Sequence, residues 1–150
     1  MIDKISFMVS DKIQIKNKIA EFLRERDEVI FAYIFGSFVG KEYYHDIDVA
    51  VYLSDNFNKD DLMEFPYGYE SSLIAELMKL LHTDKIDLVI LNNAPLLITN
   101  RIVNTGMLLF DKDKFNRISF ENKSRKMFID TENLRNIKTH YLVKKIKQYA

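Results

Sequence analysis

The apolar and polar positions of the chain follow two different periods. Four continuous apolar runs stand out: Val29–Phe35, the run Asp46–Leu53 that carries Asp46-Ile47-Asp48 at its head, Lys85–Leu91, and Met107–Phe110. Runs this short, rich in Val, Ile, Phe and Tyr and bounded by turn residues, predict buried strands. Between them the spacing changes to that of a helix. Ile13, Ile19, Phe22 and Leu23 predict a helix from about Lys12 to Arg26-Asp27, capped by Ser10 or Asp11 after an irregular arm or short strand over residues 1–10. Phe38–Gly40 reads as one helical turn, and Lys41–His45 as a polar link. Asn58–Phe65 predicts a short helix stopped at Pro66-Tyr67-Gly68. Glu70–Leu81 predicts a longer one, with Leu73, Leu77, Leu80 and Leu81 inward and Ile74 and Met78 beside them. Asn92-Asn93-Ala94-Pro95 is a turn, with Pro95 at the first position of a helix over Leu96–Asn104 that Gly106 stops. Asp113 to Ala150 reads as helical, broken near Asp130-Thr131, with Phe115, Ile118, Phe128, Leu134, Ile137, Tyr141 and Ile146 as its apolar positions. The class is therefore mixed α/β (α+β): a small mixed β-sheet flanked by helices. The strands are too few and too unevenly spaced for a doubly wound sheet.

Length and composition narrow this picture. At 150 residues the chain fits one domain over 1–150, with a C-terminal helical segment from about residue 113. Its 22 basic and 22 acidic residues cancel, which excludes nucleic-acid binding by global charge. The balance is uneven, however. Residues 111–150 hold 11 Lys/Arg against 5 Asp/Glu, so that segment carries an excess of positive charge. It suits either a solvated helix face or a meeting with something anionic, a nucleotide or an acidic partner. The absence of cysteine excludes disulfides, a thiolate nucleophile and Cys-type zinc sites. The charged N-terminus is unlike a signal peptide, and no apolar run is long enough to span a bilayer. The expectation is a cytoplasmic protein with no membrane partner.

The candidate chemistry lies in Phe31–Leu53. Asp46 and Asp48 are two apart on a predicted strand, so both carboxylates face one way and Ile47 and Val49 face the other. Two such carboxylates repel, and a divalent ion relieves the conflict. Mg²⁺ suits them, since it takes hard oxygen ligands and completes its shell with water and phosphate oxygens. Asp87, within the apolar KIDLVIL run, is costly to bury unless paired or bound to metal. If its strand lies beside the Asp46–Leu53 strand, it completes a three-carboxylate cluster able to hold one or two ions or to accept a proton from an attacking hydroxyl. Gly36 permits close backbone approach to phosphates, and Ser37 adds a hydroxyl and a backbone N–H. Alone, Asp-x-Asp is more often a solvated strand end, a lone Asp an edge residue, and Gly-Ser a turn. Together they are a narrow conjunction.

Gly36, Ser37, Asp46, Asp48 and Asp87 resemble the motif of the DNA polymerase β nucleotidyltransferase superfamily, and the Ile86–Asp113 segment resembles its minimal nucleotidyltransferase (MNT) branch. The resemblance covers roughly residues 12 to 130. It implies that ATP binds at Gly36 and Ser37, that Mg²⁺ is held by Asp46, Asp48 and Asp87, and that a hydroxyl activated near Asp87 attacks the α-phosphorus. Many members of the branch are antitoxins that transfer AMP to a tyrosine of a cognate HEPN ribonuclease toxin. That makes such a toxin the implied partner. Two alternatives are a small-molecule nucleotidyltransferase of the aminoglycoside-modifying kind and a module that masks a toxin by contact alone. The insert between Ser37 and Asp46 is eight residues, shorter than usual in this branch, and carries Lys41, Tyr43, Tyr44 and His45. Lys41 suits a phosphate contact or an exposed loop. His45 suits orientation of Asp46 or a neutral role. Tyr43 and Tyr44 suit base stacking or cover of the sheet edge. Arg117 suits either a nucleotide-facing or a surface position.

Overall fold

A four-stranded mixed sheet carries helices on both faces. The computed structural model describes residues 2–149, with side chains from residue 11 onward. The strands are β1 (Val29–Phe35), β2 (Ile47–Leu53), β3 (Ile86–Ile90) and β4 (Met107–Asp111), and the helices are α1 (Ile2–Arg24), α2 (Ser37–Gly40), α3 (Tyr69–Leu81), α4 (Leu96–Thr105), α5 (Lys114–Asp130) and α6 (Glu132–Tyr149). The sheet order is β3-β2-β1-β4. The tight link across α2 makes β1 and β2 antiparallel, and β4 pairs antiparallel on the other side of β1. β3 returns through α3 and pairs parallel to β2, the arrangement a helical crossover produces. Among the described residues, no helix is long and apolar enough to cross a membrane.

Strand alternation divides the interior in two. Ala32, Ile34, Ile47, Val49, Val51, Ile86 and Leu88 pack against Ile19 and Leu23 of α1 and Leu73 and Leu77 of α3. Phe31, Tyr33 and Ala50 turn the other way, toward Ile102 of α4 and Phe120 of α5. Phe31 stacks on Tyr52 with ring centroids 4.6 Å apart, and Phe120 closes over both. α3 keeps the expected inner face: Leu73 and Leu77 are buried, while Ile74, Met78, Leu80 and Leu81 pack at its margins.

Several expected elements differ. Residues 2–10 form no arm or strand, because α1 runs unbroken from Ile2, so neither Ser10 nor Asp11 is a cap. No Gly or Pro precedes Gly36 to stop the helix. Asn58–Phe65 is a series of turns and not a helix. There Asn58 Oδ1 accepts from Asp60 N–H at 3.2 Å, and Asp61 Oδ1 accepts from Met63 N–H at 3.0 Å. These side chains offer the backbone an alternative to helical bonds. Phe57 and Phe65 then anchor the loop edge-on against Tyr69, while Leu62 and Met63 point to solvent. The third strand ends at Ile90, and Leu91–Asn93 forms a 3-10 turn. Gly106 does cap α4, in an extended conformation; a Cβ there would stand 2.5 Å from the Ile102 carbonyl. The helical break near Asp130-Thr131 is the α5–α6 joint. Of the apolar positions of this segment, Leu134, Ile137, Tyr141 and Ile146 on α6 and Phe115 and Ile118 on α5 are exposed, and Phe128 is half-buried.

Two buried tyrosines tie sheet to helix. Tyr69 donates to Glu28 Oε1 at 2.8 Å, and Tyr33 donates to Glu121 Oε1. Burial, then the neighbouring carboxylate, raises both phenols well above their ordinary 10.0. A raised native pKa means the unfolded chain loses these protons first, so the stabilisation is complete below about pH 10 and fades above it. Urea denaturation at stepped pH is expected to show stability falling from pH 10 upward, with a shallower fall in Tyr69→Phe. A stability flat from pH 9 to 11 would contradict this.

Candidate active site

The site is built where β1 ends and β2 begins. Phe35, the last residue of β1, pairs with Asp48, and Asp48 pairs in turn with Asp87 of β3. The parallel register therefore sets the two aspartates side by side on adjacent strands. β3 lies beside β2, as the cluster requires. Asp48 lies on the same face as Ala50 and Tyr52, the face shared with α4 and α5, while Ile47 and Val49 are buried on the opposite one. Asp46 stands just before β2, exposed, and not within the strand as expected.

Gly36 is the hinge of the site. Its φ of 72° and ψ of −150° fall in a region that is essentially Gly-only. A Cβ at this position would also collide with Asp48 Oδ2. The turn is thus shaped around the carboxylate. Ser37 opens the single turn of α2, whose amides close back on Gly36 O and Ser37 O. Lys12 of α1, which the sequence did not single out, holds that turn from outside. Its ammonium donates to Phe38 O at 2.9 Å and to Lys41 O, and lies over the rings of Phe38 and Tyr44. No local pattern could reveal it, because the contact joins residues 26 apart.

The electrostatics follow from this crowding. Asp48 is half-buried, and its carboxyl is raised above the ordinary 3.8 by burial first, then by the charges of Asp87 and Asp46. Asp48 therefore senses both neighbouring carboxylates. Among the described residues, no group of three His, Cys, Asp or Glu side chains has converged to metal-holding distance. The donors nonetheless fit Mg²⁺ in kind: hard oxygens only, mutually repelling, on an open rim. Asp87 is exposed on an edge strand, so the expected cost of burying it does not arise. The other insert residues divide. Tyr44 packs edge-on against Phe38 with centroids 4.7 Å apart, whereas Lys41, Tyr43 and His45 are exposed.

Arg117 neither faces the turn nor lies free on the surface. Its guanidinium donates to Asp111 Oδ2 at 2.6 Å and to Glu121 Oε1 at 2.8 Å, and these bonds raise it above its ordinary range. With Tyr33 on Glu121, this half-buried group clamps α5 to β1 and β4. A cleft of about 550 Å³ opens on the same sheet face among Tyr52, Asn92, Phe120, Lys123 and Ser124. Tyr52 is four residues along β2 from Asp48, or about 13 Å, so this cleft is not the pocket of the carboxylates.

Two outcomes follow from this geometry. Gly36→Ala is expected to lose about 1–3 kcal/mol of stability in urea titration; an unchanged midpoint would show that the turn does not need glycine. Asp48 has a raised native pKa, so its charged form weakens the fold as pH rises through that value. Asp48→Asn is therefore expected to melt higher than the parent at pH 7 in chelator, and a lower melting temperature would refute the repulsion.

Comparison with known proteins agrees with this geometry. Residues 17–115 match the family described as Polymerase beta, Nucleotidyltransferase. No curated protein matches the chain significantly. Among solved structures, a chain from a toxin–antitoxin crystal structure with AMP-PNP superposes with a TM-score of 0.70 at 24% identity, over 85% of this chain and 98% of that one. A chain from tri-AMPylated Shewanella oneidensis HEPN toxin in complex with MNT antitoxin gives 0.69 at 24%, over 88% and 98%. A third, from the toxin–antitoxin MntA-HepT, gives 0.66 at 24%, over 87% and 97%. These likenesses establish the fold, and the family match extends across β1, β2, β3 and β4 with all five motif residues inside it: the chain belongs to the polymerase beta nucleotidyltransferase family.

Proposed function

We propose that this protein is an ATP-dependent, Mg²⁺-dependent protein adenylyltransferase that acts as an antitoxin toward a HEPN ribonuclease toxin. The observation that carries the reading is the row Gly36, Asp48, Asp87, set by strand register and by a turn that only glycine allows. Two similar structures support the choice of donor and acceptor. One contains AMP-PNP, and another holds a tri-AMPylated HEPN toxin with an MNT antitoxin.

In this reading Gly36 presents the backbone of the turn to the triphosphate, and the Ser37 hydroxyl and N–H bind its oxygens. Asp46 and Asp48, with Asp87, would hold Mg²⁺, which supplies charge neutralisation along the phosphates when bound. Asp87, exposed on β3, orients the acceptor hydroxyl of a toxin tyrosine and takes its proton. The tyrosyl oxygen forms a bond to the α-phosphorus as the bond to the departing pyrophosphate breaks. Lys12 keeps the turn in place, so the gain comes from positioning. The open rim favours a protein acceptor over an aminoglycoside-type substrate: Asp46 and Asp87 are exposed, and the 550 Å³ cleft lies elsewhere on the sheet.

The test is incubation with the protein encoded beside it, labelled ATP and Mg²⁺. AMP is expected on a tyrosine of that partner, with its toxicity lost, and Asp48→Ala is expected to cut labelling by about 10²–10³-fold. No label on the partner, with toxicity unchanged, would sink the reading. Toxicity neutralised equally well by Asp48→Ala would leave masking by contact in its place.

A further inference from the structure

α6 has almost nothing to fold against. It packs chiefly on the end of α5. There Arg135 donates to Thr131 Oγ1 and to Phe128 O, each at 2.6 Å, and lies over the Phe128 ring. From Asn136 to Tyr149 every residue is exposed, and no residue of the helix is buried. Helices of this length draw most of their stability from burying a face, and propensity alone leaves them marginal. Yet α6 is rich in large apolar side chains: Ile137 is 55% exposed, Tyr141 70% and Ile146 68%.

Their placement is not random. At 3.6 residues per turn, Leu134, Ile137, Tyr141, Leu142, Ile146 and Tyr149 fall on one half of the helix. Lys138 and Lys145, seven apart, fall in the middle of that half. The apolar surface is therefore split by a ridge of positive charge. The whole helix carries five Lys/Arg and one acidic residue. It also lies beyond residue 115, where the family match ends.

We propose that α6 is a docking helix for the protein acceptor, seated in an apolar groove of that partner with carboxylates along its floor. This rests on the reading that the chain acts on a protein. The lysine ridge discriminates among occupants. A second copy would set Lys138 and Lys145 against their own counterparts, a like-charge pairing that disfavours association. A bilayer surface prefers helices whose lysines lie on the polar face and not within the apolar one. A helix-in-groove partner with a central acidic row satisfies both stripes and the ridge. α6 then holds the acceptor while Asp48 and Asp87 act on it, so binding and transfer are separable.

Calorimetric titration with the protein encoded beside this one tests the assignment. The variant Ile137→Gln/Tyr141→Gln/Ile146→Gln is expected to keep the parent melting temperature, since none of the three is buried, and to lose affinity by about a hundredfold or more. Lys138→Glu/Lys145→Glu is expected to weaken binding as well and to flatten its dependence on salt. Unchanged affinity in either variant, or no binding by the parent, overturns the proposal. So does a dimer in sedimentation velocity, or adsorption to phosphatidylglycerol vesicles, that the triple variant abolishes. Asp48→Ala is expected to bind with parental affinity. A parent protein that binds through α6 but transfers no AMP leaves docking intact and removes the transferase reading. A triple variant that binds normally while the parent labels the partner removes docking alone.

Discussion

Everything at the candidate site depends on one steric fact: the Asp48 carboxylate occupies the space where residue 36 would carry a Cβ. The turn after β1 can close over the head of β2 only because that atom is missing and because glycine tolerates a φ of 72°. The crowding has two effects. It presses a backbone turn against a carboxylate. It also removes Asp48 partly from water beside two like charges, which raises its proton affinity. The site is thus a local electrostatic conflict tolerated by the fold.

The scaffold supplies the rigidity that such a conflict requires. β1 is central, paired on both sides, and its residues feed both interiors: Ala32 and Ile34 toward α1 and α3, Phe31 and Tyr33 toward α4 and α5. The Tyr33–Glu121–Arg117–Asp111 group crosses from β1 to α5 and β4. Every member is hydrogen-bonded, so the group is a polar staple and not a set of stray charges. Lys12 performs the same office for α2, satisfying carbonyls at the end of that short helix. The site therefore rests on contacts from α1, β1, β2 and β3 at once.

Charge is distributed unevenly along the chain. The carboxylates gather at one end of the sheet, and the basic excess gathers after β4, in α5 and α6. Within α5 much of it is spoken for, since Arg117 and Arg125 both engage Glu121. In α6 the lysines stand free alongside exposed apolar residues. The two ends of the molecule thus present different surfaces, one acidic and one mixed basic and apolar.

Much of this was legible in the order of residues. Val29–Phe35 was bounded correctly because continuous β-branched and aromatic residues meet a Gly-Ser stop, and α3 because its leucines recur at helical spacing. Gly36, Ser37, Asp46, Asp48 and Asp87 stood out because hard oxygen donors beside a small turn resemble a nucleotidyltransferase motif, and the family match spans all five. Local pattern failed where competing local bonds or missing partners decided the outcome. Asn58–Phe65 formed Asx bonds in place of helical ones, and the apolar positions of α6 had a face but nothing among the described residues to cover it. Tertiary structure alone decided three things. The parallel β2–β3 register brought Asp87, thirty-nine residues away, beside Asp48. Lys12 came to hold the Gly36 turn. Arg117 became a structural clamp instead of a free or nucleotide-facing cation. Spacing along a chain determines what each strand and helix offers, but which offers meet depends on how the sheet is ordered, and that is set by the packing of both faces at once.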